Sequence, residues 1–98
     1  MLRSKEEIIK TLKKLKNEIK TKYKVKKIGL FGSYANNRQR ENSDIDILVE
    51  FEDEADLLHY IGLTIFLEET FEKKVDIVSE FAIKEEIRDH IMQEVIYA

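Results

Sequence analysis

Cysteine is absent from this 98-residue sequence, which rules out disulfides and any thiolate zinc site. No hydrophobic run approaches the ~20 residues that a membrane-crossing helix needs. The N-terminus is charged and amphipathic and lacks the apolar block of a signal peptide, so a cytoplasmic protein with no membrane partner is expected. No linker, repeat or low-complexity segment interrupts the chain. Residues 1–98 are therefore expected to form one small domain around one modest core. Apolar residues make up 43% of the chain and are spread along its length, which argues against disorder.

Net charge is only −3, but it is divided unevenly. Residues 1–27 hold eleven Lys or Arg against three Glu, and residues 28–98 hold six against seventeen Asp or Glu. A basic first helix suits an acidic partner or is simply a solvated face. Tyr23 is the only aromatic residue among those lysines, so direct nucleic-acid binding is not expected.

Ser4 with Glu7 three residues on forms a capping box, predicting a helix that starts near Lys5 and frays near Thr21 to Lys24. Ile8, Leu12, Leu15 and Ile19 mark its buried stripe. Lys26 to Phe31 reads as a strand ending at Gly32, with a short helix from Ser33 and a polar connection from Asn36 to Asn42. Ser43 to Phe51 reads as a second strand. Acidic residues Glu52 to Asp56 then lead into a second long helix. In it Leu57, Ile61 and Ile65 recur every four residues, with Tyr60, Thr64, Leu67 and Phe71 on an adjoining stripe. Lys74 to Val78 reads as a third strand, and Ile83, Ile87, Ile91 and Val95 recur along a last helix. The expected fold is α/β (α+β), a small mixed sheet of about three strands flanked by helices.

Two features carry chemistry. Asp44 and Asp46 alternate with Ile45 and Ile47, so on a strand both carboxylates project to one face and repel. Asp76 sits inside the apolar run Lys74 to Val78, a costly place for a charge unless it is exposed or paired. With the third strand beside the second, three carboxylates would converge on an oxygen-rich site suited to Mg²⁺, or Mn²⁺. Two such ions about 4 Å apart can activate an attacking oxygen and stabilise a leaving one in phosphoryl transfer. The Gly32-Ser33 turn supplies the other half, since glycine lets a phosphate approach the backbone and the start of a helix offers unpaired N–H groups. Together they describe a site for metal and a nucleotide triphosphate. His59 and His90 lack matching His or Cys partners and are read as surface residues, and Tyr34 as a packing residue.

Gly32-Ser33-Tyr34-Ala35, followed by Ser43-Asp44-Ile45-Asp46 and an apolar strand, resembles the minimal nucleotidyltransferases of the DNA polymerase beta-like nucleotidyltransferase superfamily. The eleven-residue spacing from Ser33 to Asp44 matches that family, and Val75-Asp76-Ile77-Val78 resembles its third-acid strand. The likeness extends to the closing Glu94-Val95-Ile96-Tyr97. The resemblance implies that Gly32 and Ser33 hold the triphosphate and that Asp44 and Asp46 bind a metal pair. It further implies that Asp76 binds the catalytic ion and helps deprotonate the acceptor hydroxyl. The implied reaction moves a nucleoside monophosphate, AMP from ATP, with loss of pyrophosphate. One departure stands out: Asn36-Asn37 replaces the family's usual Arg-Gly, leaving Arg38 or Arg40 to substitute for the arginine.

Small members of this family are commonly antitoxins that modify a tyrosine of a HEPN-type helical toxin encoded nearby, and the resemblance implies that role here. Two rival readings stay open on the residues alone. One is an inert binding module that neutralises its partner by contact. The other is a small-molecule nucleotidyltransferase of the aminoglycoside type, completed by a separate subunit.

Overall fold

The computed structural model describes residues 4–98. Ser4 begins the first helix, its hydroxyl accepting the Glu7 N–H at 3.1 Å. Helix α1 (Lys5–Tyr23) buries Ile8, Leu12 and Ile19, and Leu15 packs at the edge of the core, as the periodicity predicts. It ends at Lys24, in left-handed geometry with φ 55°, and the chain turns into strand β1 (Val25–Phe31). A single helical turn, α2 (Gly32–Ala35), follows at once.

Strand β2 (Ile45–Phe51) returns antiparallel to β1, and β3 (Val75–Ser79) lies parallel to β2. A parallel neighbour requires a crossover, which helix α3 (Leu57–Phe71) provides. After a 3-10 turn at Glu80–Ala82 comes helix α4 (Glu85–Glu94), and then a two-residue strand, β4 (Ile96–Tyr97), beside β1. The sheet order is β3-β2-β1-β4. The α1 helix packs on β1, α3 on β3, and the two helices touch, so together they cover one face. Ile45, Ile47 and Val49 of the central strand β2 are buried in that core. The Tyr60 hydroxyl donates to the Ile77 carbonyl at 2.8 Å, fastening α3 to β3. No helix among the described residues is long and apolar enough to cross a membrane.

The mixed α/β fold agrees with expectation, with four differences. The sheet has four strands rather than three, because the closing residues pair with Gly29 and Leu30 instead of extending the last helix. Ile83 and Val95 accordingly fall outside α4. Ser43 and Asp44 precede β2 rather than belonging to it. Ser43 closes a turn with Arg40 through two hydrogen bonds, and ladder pairing starts only where the Ile45 N–H donates to the Lys74 carbonyl. In α3 the stripe Leu57, Ile61 and Ile65 faces solvent, while Leu63, Leu67 and Phe71 are buried. This helix is apolar on two faces, so repeat spacing alone does not say which one meets the sheet.

Candidate active site

Register brings the acids together. Asp46 is opposite Asp76 across the parallel β2–β3 pair and opposite Phe31 across the antiparallel β1–β2 pair. Asp46 thus stands between the third acid and the turn that follows β1. Asp44 lies just ahead of the strand, close enough that its charge acts on Asp46. Burial, then the charges of Asp76, Asp44 and Glu94, push the Asp46 carboxyl up to about 6. Desolvation and like charges both favour the protonated form, so the site holds uncompensated negative charge.

The Gly32 turn is fitted to this group. Gly32 has φ +77°, and a Cβ there would collide with the Asp46 carboxylate, so only glycine fits. The turn is then closed by its own backbone, with the Asn36 N–H donating to the Gly32 carbonyl at 3.2 Å and the Arg38 N–H to the Ser33 carbonyl at 2.8 Å. Asn37 occupies left-handed geometry, φ 57°, which asparagine tolerates in place of the expected glycine. Tyr34 is fully buried beside the turn, the packing role expected for it.

Two residues escaped sequence reasoning. Glu94, at the end of α4, accepts the Gly32 N–H at 3.0 Å on Oε1 and the Asn36 side-chain amide at 2.8 Å on Oε2. It ties the last helix to the turn, and Asn36 thereby gains a structural role where the family carries arginine. Glu94 belongs to the closing segment that carries the family likeness, but its contact with the turn spans 62 residues and has no local signal. Lys84 is the second: with Asp46, Asp76, Ile83, Ile87 and Ile91 it lines a cleft of ≈ 440 Å³. The apolar side of α4 and the chain entering it thus wall the acids on one flank, with one cation present. His90 stays exposed as expected, but His59 acts in a capping box, its Nδ1 accepting the Asp56 N–H at 3.1 Å.

Among the described residues, no three His, Cys, Asp or Glu side chains stand close enough to form a metal-ligand shell. The carboxylate donor set nonetheless suits a hard divalent cation, being all oxygen and short of positive charge, with Asp44 and Asp46 half-buried and Asp76 exposed. Such an arrangement can accept a cation and receive a proton, while the Gly32 N–H is held by Glu94.

Known proteins resemble this chain in sequence and in fold. The profile of the nucleotidyltransferase domain matches residues 12–98. The protein adenylyltransferase MntA of Thermococcus cleftensis is 39% identical over 92 residues, covering 94% of this chain and 93% of its own. A solved structure described as a "putative minimal nucleotidyltransferase" superposes with TM-score 0.75 at 32% identity, covering 90% of this chain and 93% of its own. A toxin-antitoxin crystal structure with AMP-PNP superposes with TM-score 0.69 at 26% identity, covering 86% of this chain and 69% of its own.

Proposed function

The chain belongs to the nucleotidyltransferase domain family, and on that premise we propose that it transfers AMP from ATP onto a tyrosine hydroxyl of a helical, HEPN-type partner protein, acting as its antitoxin. The observation that carries this reading is the register of Asp46 against Asp76, directly beside the Gly32 turn. Gly32 and Ser33 would bind and orient the triphosphate, and Asp44, Asp46 and Asp76 would hold Mg²⁺. When bound, that cation would neutralise charge at the phosphates and lower the pKa of the attacking hydroxyl.

In the transfer, the acceptor oxygen forms a bond to the α-phosphorus while the bond from that phosphorus to the β-phosphate bridge breaks. Pyrophosphate leaves, and the acceptor proton passes to the Asp76 carboxylate. Lys84 at the cleft, the exposed Arg38 beside the turn and the exposed Arg40, bonded through its backbone to Ser43 next to Asp44, are cations available to the phosphates.

Intact mass spectrometry tests the reading. After incubation with ATP and magnesium, the partner should become heavier by whole AMP units. Asp44→Asn should still bind that partner and leave its mass unchanged. A complex that forms and neutralises the toxin with no mass change under any nucleotide would overturn transfer and favour contact alone.

A further inference from the structure

We propose that the outward face of α3, together with Phe81, is a docking surface for a basic amphipathic helix of a partner protein. Leu57, Leu58, Ile61 and Ile65 fall within one sector of the helix, about 100° wide. They are 69, 75, 43 and 52% exposed, and Phe81 is 80% exposed. Leu57 and Phe81 line a common groove of ≈ 490 Å³ with Phe51, Ala55 and Tyr60. The opposite side of α3 already supplies Leu63, Leu67 and Phe71 to the core, so the fold has no use for the outer stripe. An exposed apolar surface of this kind marks an interaction site.

Charge selects the occupant. Residues 51–72 contain seven Asp or Glu and no Lys or Arg. Asp53, Glu54 and Asp56 fringe one end of the stripe, and Glu69 the other, all exposed. An apolar ridge flanked by Lys or Arg complements that rim, and complementary charge brings such pairs together quickly and in register. A second copy fits poorly. Face-to-face pairing would set acids against acids, and the basic α1 has already buried Ile8, Leu12 and Ile19, leaving lysines without an apolar ridge. Anionic lipid would be repelled by the same rim.

The α3 groove and the acid cleft are linked through the Glu80–Ala82 turn. Phe81 lines the α3 groove, whereas Ala82 and Ile83, its immediate successors, line the cleft that holds Asp46 and Asp76. Alternation along β2 and β3 turns Asp46 and Asp76 to the sheet face away from α3, so a partner helix seated on α3 reaches the acids around the Glu80–Ala82 turn. If the functional reading above holds, on which this last step rests, that helix belongs to the protein bringing the acceptor hydroxyl.

The test is binding without chemistry, in EDTA and without nucleotide, so failure of transfer does not affect it. A fluorescein-labelled helical peptide with leucines on one face and lysines on the other serves as probe, read by anisotropy. The lysine peptide should bind, more weakly as salt rises, and the same peptide with glutamates in place of lysines should not. Leu58→Ser with Ile65→Ser should weaken binding by roughly tenfold or more, and Glu54→Lys with Glu69→Lys should weaken binding and flatten the salt dependence. Both positions are exposed, and an unchanged thermal melt confirms that each variant is folded. Failure of the lysine peptide to bind, or equal binding by wild type and the serine variant, would overturn the proposal. So would a dimer in sedimentation that the same serine substitutions dissolve, because the occupant would then be a second copy.

Discussion

The acid end of the sheet and the outer face of α3 both carry groups that folding alone would arrange otherwise. At the acid end the cost is electrostatic: Asp46 faces Asp76 and is partly desolvated. On α3 the cost is apolar exposure, with four large side chains left in water. On the two proposals, a cation and a phosphate would meet the first deficit and another apolar surface the second. The contrast would then separate a ligand site from a protein site, and substitutions should break the two independently.

The largest effect belongs to the acids. Asp44→Asn, Asp46→Asn and Asp76→Asn should each lower AMP transfer by more than roughly 100-fold, since even the outer partners of metal ligands are worth about 10–100-fold. All three should remain folded by circular dichroism. Unfolded variants would make the acids structural and end the comparison.

The next effect sets one side of α3 against the other. Leu67→Ala should cost about 2–5 kcal/mol in urea unfolding, because its side chain is fully buried. Leu58→Ala should stay within about 0.5 kcal/mol, as expected for an exposed position. Similar costs for both would mean that the outer stripe belongs to the fold.

These two regions also differ in how far the sequence exposed them. The acids and the Gly32 turn were legible because each carries a local signature: an acid alternating with apolar residues, and a glycine between a strand and a helix. Their spacing then tied them to one family. The Ser4 cap and the stripe of α1 were legible for the same reason. The burial of α3 was not, since Leu57, Ile61 and Ile65 repeat as regularly as Leu63, Leu67 and Phe71. Which stripe faces inward is decided by β3 and by α1, both distant in sequence. Strand β4 is too short to show alternation, and Gly29, where a Cβ would crowd Val95 and the Ile96 carbonyl, gives room for its approach. The role of Glu94 was hidden for a related reason, because its partners Gly32 and Asn36 lie 62 and 58 residues away in the chain.

A smaller effect concerns pH. The folded Asp46 carboxyl titrates near 6 rather than 3.8, so the folded state holds this proton more tightly than the unfolded state. The resulting stability is fully present below the unfolded value and is lost as pH rises from 3.8 to about 6. In EDTA, the urea midpoint of wild type should therefore fall across that window. Asp46→Asn should fall less and end more stable than wild type above pH 6. Parallel curves would remove the claim of uncompensated charge.

The smallest effect is at the latch. Glu94→Ala removes an acceptor from the Gly32 N–H and the Asn36 amide, which should cost about 1 kcal/mol. If the turn holds the triphosphate, the KM for ATP should rise more than kcat falls. Glu94→Gln, which keeps one acceptor oxygen, should recover part of both.

The central claim is that the acid end is a metal–nucleotide site, and thermal unfolding with and without magnesium and ATP tests it most directly. Ligand at about 100 times its dissociation constant adds ~2.7 kcal/mol to the folded state. Wild type should therefore melt at least several degrees higher in magnesium plus ATP than in EDTA, and Asp46→Asn should show little of that gain. Equal gains in both proteins, or no gain in wild type at saturating ligand, would contradict the account.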